Sequence, residues 1–438
     1  MSACSSGGTR PAAPTSAPTV TGTVDADERM PETTEAPAGD NEPDSPQPTL
    51  PTIPPVALND LANVDGSIVL RDDDGSLVVV RPDGNDRQEL ASGAESLLNQ
   101  PTFSRNGDRV AWTAIDTDGP RFFVADVDGS NVVSAAVSSP AFYLSWSPDD
   151  TWIAALRPVP ASIEFVVADP ESAEVRAVAT GQPFYFDWLD DDSIIAAVGT
   201  TTLTVIDASG EVPPTPRVLA SPLGAFQTPA VVAGGDEGAD DVVVAVLQNG
   251  FNDVVLLGAD GSQDAIGRSS GPVATTNNPT EGQVAVLVID VEPPQSQVIG
   301  FQTDEPPDLP SGQVSIIDLD TREVTTRDER QIVAMQWSPD GSSLAMLQAG
   351  NNTLQWLVAT PDGVSMLTPF IPSQEFATSY LPFADQYNHS SSWWSPDSRA
   401  MVLSGSIDGQ TGVWVDLVDD EFGAVRISGG DLGLWSAR

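Results

Sequence analysis

The chain has 438 residues, with 63 acidic and 18 basic side chains and a formal net charge of −45. Every basic residue is arginine, and there is one cysteine, Cys4, and one histidine, His389. That composition excludes an intrachain disulfide, a Cys/His-rich zinc site and lysine-dependent catalysis, and it denies nucleic acid the basic surface that phosphate binding requires.

Residues 1–57 form the first expected region. From Ser5 to Pro55 the chain is rich in Pro, Thr, Ala, Ser and acids and has no Trp, Tyr or Phe. Too little apolar surface is available there to offset the entropy of ordering, so a disordered spacer is expected, spanning about 40 Å on average. Ser2-Ala3-Cys4 ahead of this spacer resembles the end of a bacterial lipoprotein lipobox. The resemblance implies lipidation at Cys4, an extracytoplasmic location and membrane contact through that lipid anchor alone. An accidental cysteine is the other reading. No apolar run precedes Cys4, so the chain as given carries no signal peptide or spanning helix.

Residues 58–438 are governed by an internal repeat. Trp146-Ser147-Pro148-Asp149, Trp337-Ser338-Pro339-Asp340 and Trp394-Ser395-Pro396-Asp397 each end one short strand and turn into an apolar one. Phe103-Ser104-Arg105-Asn106-Gly107 and Trp188-Leu189-Asp190-Asp191 are variants. Ser at the first turn position, Pro with its fixed φ at the second, and Asp or Gly after it specify a type I turn. A second hairpin follows each unit, as at 121–126 with the turn Asp128-Gly129-Ser130.

Taking the aromatic or its equivalent at 103, 146, 188, 230, 276, 337 and 394 gives spacings of 43, 42, 42, 46, 61 and 57. A period near 42 carrying four short strands predicts an all-β fold, a β-propeller of four-stranded antiparallel blades. The chain opens with three strands of a blade, around 67–71, 76–81 and 88–90, and closes on Leu434-Trp435-Ser436, the start of a repeat. Pairing of these terminal strands would complete one blade and give eight in all; seven is the alternative if 229–330 is parsed differently. The Trp-Ser-Pro-Asp-Gly pattern resembles the repeat of TolB-like and WD40-like β-propellers, a resemblance that implies architecture and leaves function open.

Two insertions stand out, at 290–312 and 368–391. The b–c turns and the connections between blades emerge on one face, so both insertions are expected on one rim. The second holds Phe376, Tyr380, Phe383, Asp385, Tyr387 and His389, and the blade entrances repeat aromatic residues at Phe142, Tyr143, Phe184, Tyr185 and Phe226. An aromatic rim of this kind would dock a partner protein, a peptide or an envelope polymer. The competing reading has these rings filling the gaps between blades.

The chemical motifs carry little. Asp72-Asp73-Asp74-Gly75 and Asp126-Val127-Asp128-Gly129 lack the spacing of a calcium loop and read as hairpin turns. Gly267-Arg268-Ser269-Ser270-Gly271 has no helix behind it, and the lone His389 would have to serve as its base. A monomeric, non-enzymatic binding propeller without a cofactor is therefore expected. The alternative is a lactonase-, lyase- or hydrolase-like enzyme with a carboxylate-bound metal in the central channel, for which Asp187, Asp236, Asp385 and His389 are the candidates.

Overall fold

The computed structural model describes residues 60–93, 97–199, 202–219, 221–224, 228–232, 241–290, 309, 311–350, 353–384, 390–418 and 423–438. These lie in one structural unit, Ile53–Arg438. The expected spacer and Cys4 fall outside the described residues.

Strands rich in Val, Ile, Leu and Ala are joined by turns whose side chains close them. The hairpin after Gly119–Asp126 shows how. Gly129 sits at φ +78° and donates its N–H to the Asp126 carbonyl at 2.9 Å, while Asp128 Oδ1 accepts the Ser130 N–H at 2.9 Å. The Asp-rich segment thus acts as a turn, with glycine where a left-handed residue is needed.

Among the described residues the strands form eight four-stranded antiparallel meanders. Blade 1 is Leu432–Trp435, Ile68–Arg71, Leu77–Val80 and Gln88–Ala91. Blade 2 runs through Leu97–Phe103, Arg109–Asp116, Gly119–Asp126 and Val133–Ala136. Blade 3 begins at Tyr143–Trp146, blade 4 at Phe184–Trp188, blade 5 at Ala230–Val231, blade 6 at Val273–Asn277, blade 7 at Ile332–Trp337 and blade 8 at Ile371–Pro372. Blades 6 and 7 touch through the single pair Gly312 and Ile332, so a count of hydrogen-bonded sheets gives seven. In blade 1 the last strand of the chain pairs with the first, from Ile68 opposite Trp435 to Arg71 opposite Leu432.

The repeat residues have distinct physical tasks. Ser147 is fully buried; its hydroxyl donates to Asp149 at 2.8 Å and accepts the Trp152 N–H at 3.0 Å. Ser338 and Ser395 do the same, with Asp340 and Asp397 as acceptors at 2.6 Å. The tryptophan reaches across to the preceding blade. Trp146 Nε1 donates to the Thr102 carbonyl at 3.3 Å, Trp337 to that of Thr276 at 3.2 Å and Trp394 to that of Gln336 at 3.2 Å. Each indole therefore packs between two blades and bonds them through the backbone.

These bonds also correct the parse of the degenerate blades. The N–H groups of Val232 and Asn278 bond to Asp241 and Gln283 just as that of Ser147 bonds to Trp152. The equivalents of the repeat tryptophan are therefore Val231 and Asn277, one residue beyond 230 and 276.

The turn carboxylates predict a pH response. Hydrogen bonds from Ser76, Ser130 and Ser262 hold Asp74, Asp128 and Asp260 below the usual carboxylate range. For Asp340 burial pushes the other way and is outweighed by bonds from Ser338 and Ser342. A lowered folded-state pKa adds stability that is complete above the unfolded value of about 4 and is lost as pH falls through the folded value. With mutual repulsion of the acids screened by 0.5 M NaCl, the urea midpoint is expected to stay level from pH 7 to 5 and to fall below pH 4. A midpoint that keeps rising down to pH 3 would contradict this role.

Candidate functional site at the end of the inner strands

The second insertion does not sit between blades. Ile371 and Pro372 pair with Ser406 and Gly405, whereas Trp394 pairs with Met401 on the same neighbouring strand. The insertion therefore interrupts the innermost strand of blade 8, with the described residues 373–384 leaving that strand and 390–393 returning to it. The first insertion joins Gln283–Ile289 to Gly312–Asp318, a b–c connection as expected, but residues 291–308 are outside the described ones.

Where the insertion leaves, it is tied to blade 1. Arg71 bonds Glu375 at 2.8 Å and grips Asp431 with Nε at 2.8 Å and Nη2 at 2.6 Å. A short helical turn follows, with Phe376, Tyr380 and Leu381 buried. Phe376 meets Trp393 edge-on at 5.9 Å.

This packing corrects the aromatic rim. Tyr143, Phe184, Tyr185, Phe376 and Tyr380 are each no more than 6% exposed. Phe184 stacks on Phe165 at 5.3 Å and Tyr143 lies 5.3 Å from Phe186, filling the space between blades 3 and 4. Burial, with the nearby charge of Asp187, pushes the Tyr143 phenol well above its ordinary range. Phe142 is half-buried, and Phe383, at 43%, is the exposed ring of the set. Phe226, Asp385, Tyr387 and His389 lie outside the described residues, as does Asp236. Rings at blade entrances are buried because adjacent blades face one another across them, which is the competing reading made at the sequence level.

The channel offers a different site. A cavity of about 340 Å³ lies where the inner strands end, the opposite end from the expected rim. Blade 2 lines it with Thr102, Phe103 and Arg105, and blades 6 and 7 with Asn277 and Gln336. Ser390–Ser392, the returning end of the insertion, form one wall. Thr102 Oγ1 donates to the Ser390 carbonyl at 3.0 Å and Gln336 Nε2 to that of Ser391 at 2.8 Å, so this wall is clamped between blades 2 and 7. Exposed Pro279 and Ala437 mark its opening to solvent.

Several polar groups in the lining are unspent. Trp435 is 2% exposed, yet its Nε1 has no acceptor, and Asn277 Oδ1 has no donor, among the described residues. The Asn277 amide is oriented by the bond from Nδ2 to the Val231 carbonyl. Buried polar groups normally find partners, so such a pair in one cavity is a place for a polar ligand or water.

The proposed catalytic groups are otherwise engaged. The Asp187 carboxylate accepts the N–H of Trp188 at 2.9 Å and of Val231 at 3.2 Å. Ser269 is buried in the outer strand of blade 5, its hydroxyl bonded to the Gly271 N–H at 3.1 Å. Among the described residues no group of three His, Cys, Asp or Glu side chains is arranged to hold a metal ion.

Comparison with solved structures agrees with the architecture. The fold is similar to that of a eukaryotic initiation factor at 11% identity, covering 85% of this chain and 99% of that one with a TM-score of 0.53. It is similar to the dihydro-heme d1 dehydrogenase NirN in complex with DHE at 15% identity, 88% and 81% coverage, and a TM-score of 0.51. TolB from Acinetobacter baumannii matches at 14% identity with a TM-score of 0.37, over 69% of this chain and 62% of that one, less than two thirds of its length. Identities this low speak for the β-propeller fold alone, and the similar structures include both enzymes and proteins not named as such. No family model matches the chain, and no curated protein does.

Proposed function

We propose that this β-propeller is a non-enzymatic binding protein that holds the end of an envelope polymer in the cavity where its inner strands finish. The observation that carries the reading is the cavity itself, whose lining brings the polar residues Thr102, Arg105, Asn277 and Gln336 together from blades 2, 6 and 7. No carboxylate, histidine or cysteine stands in its described lining, so its chemistry is recognition. The reading places the protein outside the cytoplasm, held through a lipid on Cys4. The sequence Ser2-Ala3-Cys4, the Pro/Thr/Ser spacer and the strongly acidic composition support that location.

A substitution at the mouth tests the site without touching the core. Ala437 is exposed at the cavity opening, and Ala437→Trp would block it. Capture of envelope polysaccharide on the immobilised 438-residue chain is expected, and loss of about 10-fold or more with the variant. Equal capture by both chains would move docking elsewhere on the surface, and capture by neither would sink the reading. Partition of the native protein into a detergent phase tests the anchor; an aqueous protein would refute it.

A further inference from the structure

We propose that the cavity recognises a sugar acid, a ring-sized group bearing one carboxylate and neighbouring hydroxyls. The inference rests on the binding reading above and names its ligand class.

Charge is the first argument. The chain has 63 acidic residues, yet none is among the described lining residues, where the one charged side chain is Arg105. Some arginines elsewhere are paired, Arg71 with Glu375 and Asp431, Arg109 with Glu171 and Arg157 with Glu164, while others such as Arg176 and Arg426 bond backbone carbonyls. No ion pair forms at the Arg105 guanidinium among the described residues. Its backbone is fixed, because Asp150 Oδ1 accepts the Arg105 N–H at 2.5 Å, while the side chain remains half-buried at the cavity wall. A half-buried arginine whose guanidinium has no ion pair among the described residues is matched by a ligand that brings a carboxylate, through two parallel N–H···O bonds.

The neutral groups specify the rest of the ligand. A hydroxyl both donates and accepts, so hydroxyls beside the carboxylate suit a lining that holds the polar residues Thr102, Asn277, Gln336 and Ser392. A space of about 340 Å³ holds one sugar ring with a few waters and no extended polymer segment, so a polymer enters by its terminal residue.

Calorimetric titration of the full chain at pH 7 in 0.15 M NaCl tests this with glucuronate, neutral methyl glucoside and inorganic phosphate. Glucuronate is expected to bind, with methyl glucoside and phosphate each at least about 10-fold weaker, since each lacks half of the recognised chemistry. Arg105→Gln, at a half-buried position outside the core clusters, is expected to weaken glucuronate by about 10- to 100-fold, to the level of methyl glucoside, with an unchanged melting temperature. A uronate-terminated disaccharide that outbinds free glucuronate would mark a polymer end as the source, and equal affinities would mark the free acid. Equal binding of glucuronate and methyl glucoside, an unaltered Arg105→Gln, or no glucuronate binding would overturn the proposal. In those cases polymer capture that remains sensitive to Ala437→Trp would still sustain the binding reading, and loss of both would end it.

Discussion

Deletion of residues 432–438 is expected to unfold the propeller rather than loosen one blade. The deleted strand carries Leu432, Leu434 and Trp435, each 2% exposed, and it covers the edge of Ile68–Arg71. Burial of three large side chains contributes on the order of 6–15 kcal/mol, at about 2–5 kcal/mol each, against a typical total of about 5–15 kcal/mol. The exposed edge would offer Ile68, Val69 and Leu70 for pairing with other chains. Circular dichroism and size-exclusion chromatography should show a non-cooperative melt and aggregation, and a synthetic peptide of residues 430–438 should partly restore the transition. A truncated monomer melting within a few degrees of the full chain would refute the structural weight given to this strand.

The second large effect concerns the repeat tryptophans. Trp146→Ala is expected to cost about 3–5 kcal/mol through lost burial and the cavity left behind. Trp146→Phe keeps much of the packing but leaves the Thr102 carbonyl without its indole donor, for about 1–2 kcal/mol. Trp188 provides an internal control. Its Nε1 has no partner among the described residues, so Trp188→Phe should cost clearly less than Trp146→Phe. Urea denaturation of the four chains decides the matter, and equal costs for the two Phe variants would show that the inter-blade bond contributes nothing. Blade 2 already carries Phe103 at this position, which fits a role in which packing is general and the bond is local.

Much of the fold was legible because its signals are local. A Ser-Pro-Asp turn needs neighbours within five residues, and the second hairpin of each blade is marked by its own Asp-Gly pair. Blades 5 and 6 shifted by one residue for the same reason: without a tryptophan, only the backbone bonds of Val232 and Asn278 reveal the register. The insertion at 368–391 looked like a connection because Ile371 and Pro372, which pair with Ser406 and Gly405, resemble loop sequence. Sequence aromatics at blade entrances could not be divided into surface and core, since that division depends on how closely the next blade approaches.

By itself the sequence determined the all-β class, the blade period, the turns, the pairing of first and last strands and the lack of any lysine or cysteine pair for chemistry to use. Each follows from residue type and spacing along the chain. Tertiary structure alone decided that Tyr143, Phe184, Tyr185, Phe376 and Tyr380 are core, that the second insertion interrupts the inner strand of blade 8, and that Arg105, Asn277 and Trp435 line one cavity. Those three residues come from blades far apart in sequence. Their meeting depends on the arrangement of whole blades around the channel, a long-range property that no local spacing records.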